Sequence, residues 1–170
     1  MTSKKCLAAD GVTQSKLALR CESANIVYLV AMVSNRELIE AALQCLHSFR
    51  RSDGAKFGNV SAAVASSSGR IYQGVNLFTP AGAADICAER IAFGAMATAG
   101  EYEPAKVVAL WRPRNGEDVH IVPPCGWCRE FISQVQPDGV DTIVVLSIDD
   151  ESPVSQLLPR NDWPGPVVSL

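Results

Sequence analysis

Two short segments, Cys87-Ala88-Glu89-Arg90 and Pro124-Cys125-Gly126-Trp127-Cys128-Arg129, each open a predicted helix that follows strand or loop material. The first turn of a helix leaves amide N–H groups unpaired and carries positive partial charge. A cysteine placed there gives up its proton more easily. A fold that brings the two helix starts together offers three thiolates to one Zn²⁺ and leaves a fourth position open. Three protein ligands plus water is the arrangement of a catalytic zinc, and four protein ligands that of a structural one. Glu89 stands two residues after Cys87, where it can reach a water at such a site and move its proton. Three thiolates also make zinc a poorer acid, and hydrogen bonds from Arg90 or Arg129 to sulfur can offset that.

Other readings stay open on these residues alone. Cys125 and Cys128 form a C-x-x-C pair, which also serves thiol–disulfide chemistry. A structural zinc needs a fourth ligand, and His120 is the nearest histidine. The six cysteines of the 170-residue chain could form disulfides. That arrangement belongs mainly to short secreted chains, and no secretion signal is legible here. A reduced, cytoplasmic protein is expected, with Cys6, Cys21 and Cys45 as bystanders.

The charge balance narrows the partners. A formal net charge of −3 gives no general attraction to nucleic acid or anionic membrane. The apolar run Ile26–Val33 is too short to span a bilayer. A small neutral or cationic ligand fits better than a polyanion.

Residues 1–33 show little regular pattern and are read as an N-terminal extension, with the catalytic domain over 34–165. The domain opens with a helix for which Asn35 is a plausible N-cap, carrying Leu38, Ile39, Ala42, Leu43, Leu46 and Phe49 at helical spacing. Arg50 to Gly54 make a polar stop. Val60–Ala65 and Ile71–Phe78 read as strands joined by a hairpin turn over Ser66–Arg70. After a loop from Thr79 to Ala84, Asp85 is placed to cap a helix over 86–99 that stops at Gly100. Lys106–Trp111 is a buried strand, Asn115–Gly116 a turn, and Val119–Val122 an edge. Pro123–Pro124 lead into a helix over Cys125–Val135. A buried strand over Thr142–Ser147, a short helix over Pro153–Leu158 and an irregular tail complete the chain. Strands alternating with helices predict a three-layer α/β/α domain around a mixed five-stranded sheet.

With these segments in view, the chain resembles the cytidine deaminase family, whose zinc signature the two cysteine segments match. Gly69-Arg70-Ile71-Tyr72 and Gly74-Val75-Asn76 are similar to the family's hairpin and nucleoside-binding strand, and Leu157-Leu158-Pro159 to its closing helix. The likeness runs over roughly residues 35–163. It implies Cys87, Cys125 and Cys128 as zinc ligands, Glu89 as proton shuttle and Arg90 as partner of the thiolates. It implies Asn76 as a sugar contact and Phe57 as a base contact. A cysteine as first ligand resembles the small nucleoside branch, whose members are commonly homotetramers. The implied reaction is hydrolytic deamination of cytidine or deoxycytidine. One departure bears on the substrate. The family's nucleoside deaminases carry Asn-x-Glu on the second strand, and both side chains grip the ribose. This chain has Asn76-Leu77-Phe78, so Phe78 stands where the acid belongs. The stretch Gly74–Phe78 is closer to blasticidin S deaminase, which accepts a modified sugar. Trp127 lines either the site or a subunit interface.

Overall fold

The structure, a computed structural model, describes residues 33–113 and 118–158. Residues 1–32 of the N-terminal extension, with Cys6 and Cys21, the turn at Asn115–Gly116 and the tail beyond Leu158 lie outside the described residues. The elements follow in the order α1 (Asn35–Gln44), β1 (Phe49–Arg50), β2 (Lys56–Ser66), β3 (Ile71–Phe78), α2 (Ala88–Thr98), β4 (Pro104–Trp111), β5 (His120–Ile121), α3 (Gly126–Val135), β6 (Ile143–Val145), β7 (Glu151–Pro153) and α4 (Val154–Leu157).

The cap of helix α1 lies one residue earlier than expected. Ser34, not Asn35, is the N-cap: its Oγ accepts from the Glu37 N–H at 3.2 Å, and the Glu37 carboxylate accepts from the Ser34 N–H at 2.8 Å. This reciprocal box satisfies two donors that an opening helix leaves unpaired. Asn35 instead accepts from the Lys106 ammonium at 3.0 Å. Leu38, Ala41 and Ala42 form the buried face, whereas Leu43 is exposed and Phe49 has left the helix for β1.

The sheet has seven strands rather than five, in the order β1-β2-β4-β6-β7, with β3 on β2 and β5 on β4. The strands the sequence did not show, β1 and β7, are two and three residues long. Such short pairings carry no period-2 pattern to read. Strand β2 holds β3 along one edge, while β1 and then β4 share the other. Strands β4 and β6 pair in parallel; the other described pairings are antiparallel.

Alternation along the central strands divides the core in two. Ala62, Val64, Val107 and Ala109 face α2 and α3 with Ala88, Ala92, Phe93, Met96 and Ile132. Ala63, Ala65, Val108 and Leu110 face α1 with Leu38, Ala42 and Leu46. A sheet covered on both faces is why Val107–Leu110 reads as an unbroken apolar run.

Two glycines set the register near the site. Gly58 has φ +67°, and any Cβ there would collide with the His47 carbonyl oxygen. It sits inside the register shift between Phe57 and Ser61, where β2 bulges against β3. A Cβ on Gly74 would meet the Ala88 carbonyl oxygen at 2.5 Å. Its absence lets the start of α2 lie directly on β3.

Candidate active site

The chain leaves β3, loops through residues 79–85 and returns at Ile86, which bridges Leu77. Cys87 follows as the N-cap of α2. Asp85, expected to cap this helix, instead accepts from the Thr79 N–H at 2.6 Å and closes the loop. Cys125 is the N-cap of α3, and neither cysteine caps with its side chain. Their carbonyls take the first helical bonds, from Ile91 at 3.4 Å and Arg129 at 2.9 Å. The sulfurs are thereby left to face each other.

Cys87 Sγ lies 3.9 Å from Cys125 Sγ, and with Cys128 the three sulfurs lie within 4.8 Å of one another. A disulfide would need about 2.05 Å, and all three are free thiols. Zinc–sulfur bonds of about 2.3 Å in a tetrahedron set sulfurs about 3.8 Å apart. The observed pair fits that edge. A C-x-x-C redox pair needs two thiols, yet here a third arrives from a different helix. His120 is not among the clustered residues; it lies against Trp111, with ring centroids 5.9 Å apart. Among the described residues the cluster therefore offers three sulfur atoms, the number of protein ligands that a catalytic zinc takes. Cys128 is buried, Cys87 half-buried and Cys125 exposed, so the cluster is open on one side.

Burial pushes the Cys87 and Cys128 thiols above the ordinary thiol range. The negative charge of Glu89 and of the neighbouring sulfurs pushes the same way. A divalent cation among the sulfurs is what favours all three as thiolates. Glu89, 5% exposed, lies beside the Cys128 thiol, and burial holds its carboxyl above the usual range.

The arginines are held differently from expectation. The Arg90 guanidinium lies 4.8 Å from the Trp127 ring centroid and 5.2 Å from that of Phe131. Arg129 donates to the carbonyls of Pro124, at 2.8 Å, and Leu157, at 3.0 Å, tying the start of α3 to α4. Among the described residues neither donates a hydrogen bond to a thiol. Trp127 is 67% exposed and clamps Arg90 on the outside of the helix pair.

The remaining expected contacts spread along the ends of β2 and β3. Asn76 is fully buried: Oδ1 accepts from the Val60 N–H at 2.7 Å, and Nδ2 donates to Asn59 Oδ1 at 3.0 Å. Phe57 is half-buried and stacks on Phe49, with centroids 6.3 Å apart. Phe78 ends β3 opposite Lys56. A cavity of about 310 Å³ is lined by Phe49, Lys56, Phe57, Asn59 and Trp111, among others. Asn59 and Trp111 went unread in the sequence. A glycine inside a strand is the signal of a bulge, and Gly58 marks the place where Asn59 is turned out.

Residues 32–146 match the cytidine and deoxycytidylate deaminase zinc-binding region. Cys87, Glu89, Cys125 and Cys128 fall within that span, and zinc is the cation it binds. Blasticidin-S deaminase of Bacillus cereus is 31% identical over 104 residues, covering 59% of this chain and 74% of that protein. Cytidine deaminase from Mycobacterium tuberculosis superposes with a TM-score of 0.60 at 18% identity, over 76% of this chain and 97% of that one. The Mycobacterium leprae enzyme gives 0.59 at 20% identity, over 76% and 100%. The two structures establish the fold, and no helix among the described residues is long and apolar enough to cross a membrane. With its three converging thiols inside the matched region, the chain belongs to the cytidine and deoxycytidylate deaminase family.

Proposed function

We propose that this chain is a zinc-dependent hydrolase that converts a cytosine nucleoside, cytidine or deoxycytidine, to the uracil nucleoside with release of ammonia. One observation carries the reading: a buried carboxyl, Glu89, beside a cluster of three thiols that is open on one side. Cys87, Cys125 and Cys128 would hold the metal. Bound there, zinc supplies Lewis acidity that makes hydroxide available at neutral pH.

Glu89 carries the protons. Its carboxylate takes one from the attacking water and passes it to N3 of the base as C4 is attacked. It takes the remaining proton from the new hydroxyl and gives it to the departing amino group. One water enters and one ammonia leaves, and Glu89 ends as it began. A carboxyl whose pKa burial has raised suits this alternation, because giving and taking a proton then differ less in free energy near neutral pH. Arg90, fixed between Trp127 and Phe131, contributes positive charge against the thiolates from outside their ring. Phe57 offers an aromatic face to the base.

A second reading has its own support. Phe78 stands where an acid would accept from a ribose hydroxyl, and the Bacillus cereus relative deaminates blasticidin S by its name. A modified cytosine nucleoside is the substrate on this reading. Ammonia release by the zinc-loaded protein from cytidine, deoxycytidine, blasticidin S and adenosine separates the two. The first reading expects the two plain nucleosides to be turned over. Turnover of blasticidin S alone overturns it in favour of the second, and Phe78→Glu is then expected to bring cytidine turnover up about tenfold or more. Turnover of adenosine alone sinks both.

A further inference from the structure

The three thiols of the site differ in what can reach them. Cys125 is exposed, Cys87 half-buried and Cys128 fully buried. A reagent arriving from solvent therefore meets Cys125 first. Cys87 Sγ lies 3.9 Å from Cys125 Sγ. A disulfide needs about 2.05 Å, so each of the two sulfurs has to travel about 1 Å. Both cysteines are N-caps with extended backbone, and neither caps with its side chain. Turning their sulfurs toward each other breaks no hydrogen bond of either helix start.

Cys128 is placed differently. It stands inside the first turn of α3, where the helical backbone restricts its rotamers. Its sulfur is packed in the core beside Glu89. Rotating that sulfur out to Cys125 empties the space it fills, which costs stability. The bond that forms at least cost thus joins α2 to α3 and leaves Cys128 reduced.

We propose that Cys125 is a modification site, whose thiol exchanges with a low-molecular-weight disulfide such as oxidised glutathione and passes the bond to Cys87. Cys125 attacks one sulfur of the glutathione disulfide. That S–S bond breaks, and one glutathione leaves as a thiol with the proton Cys125 gave up. Cys87 then attacks the Cys125 sulfur of the mixed disulfide, and the second glutathione leaves as a thiol with the proton of Cys87. Two protein thiols are oxidised, and one glutathione disulfide is reduced to two thiols. A sulfur in a disulfide is no longer a thiolate ligand, so the bond and the zinc ion exclude each other at two of the three positions. Zinc loading then follows the thiol–disulfide balance around the protein.

Mass mapping of the full chain tests this. Zinc-loaded and chelator-treated protein are exposed to oxidised glutathione, capped with iodoacetamide, denatured and digested with trypsin. Cys87 falls on the peptide 71–90 and the other two thiols on the peptide 115–129, with Cys6, Cys21 and Cys45 on other peptides. In the chelator-treated chain glutathione is expected on Cys125 first, and then a Cys87–Cys125 link between the two peptides with the cap on Cys128. Bound zinc is expected to lower the yield of that link about tenfold or more. Linked protein is expected to take up no zinc until dithiothreitol has reduced it. Cys128→Ser is expected to keep the link and Cys125→Ser to lose it; the wild-type map decides the matter even where a variant fails to fold. A Cys125–Cys128 disulfide within one peptide, no link in the chelator-treated chain, or equal linkage with zinc bound overturns the proposal.

Discussion

Leu77 and Ile86 exchange two backbone hydrogen bonds, each 2.9 Å, across the loop that follows β3. This bridge fixes the residue before Cys87 to the sheet. Proline at position 86 removes one of the two donors. Ile86→Pro is expected to weaken zinc affinity about tenfold while the sheet still folds. Competition with a chromophoric chelator, beside far-UV circular dichroism, checks both halves.

The pair Gly74 and Gly94 gives a contrast within one helix contact. A Cβ at position 74 collides with the backbone of α2, whereas at Gly94 nothing lies within 4 Å. Gly74→Ala is expected to cost about 1–3 kcal/mol by overpacking. Gly94→Ala, in the interior of α2, is expected to stabilise by about 0.5–1 kcal/mol. Urea unfolding reads both, and Gly74→Ala alone should also lower zinc content.

Glu89→Gln keeps the shape of the side chain and removes its capacity to carry protons. Zinc content is expected to stay at one per chain, with kcat falling about 10²- to 10⁴-fold. Metal analysis and ammonia release on the same sample decide it. Turnover near the wild-type rate would mean that another group moves the proton.

Acid stability depends in part on the Ser34–Glu37 box. Hydrogen bonds from Ser34 hold the Glu37 carboxyl below the usual range. A carboxyl depressed in the folded state stabilises fully above its unfolded pKa of about 4.3, and that contribution is lost as pH falls through the lower folded value. Glu37→Gln is expected to flatten this part of the acid limb in thermal melts between about pH 5 and pH 3 and to leave the slope near neutrality unchanged.

What the sequence disclosed follows from how local each signal is. Cys87, Glu89, Cys125 and Cys128 lie in two contiguous segments, each opening a helix, so their convergence required only that the two helix starts meet. The hairpin of β2 and β3 was legible for the same reason. The strands β1 and β7 were not, because two- and three-residue pairings exist only through their partners. The setting of Arg90 depends on Trp127 and Phe131, which reach it from α3. Ser34 took the cap from Asn35 because the Glu37 carboxylate answers it and because Lys106, far along the chain, engages the asparagine. The turned-out Asn59 depends on a bulge whose only local sign is Gly58.

The parallel pairing of β4 with β6 has a kinetic consequence. Parallel neighbours cannot be joined by a tight turn, and here the crossover contains α3 with Cys125 and Cys128. Cys87 follows the β2–β3 hairpin, whose contacts are local and quick to form, whereas the other two sulfurs arrive with a long loop closure. An ion that all three sulfurs hold would therefore be captured only late in folding, because a chain that has formed the hairpin and α2 has one of the three thiols in place.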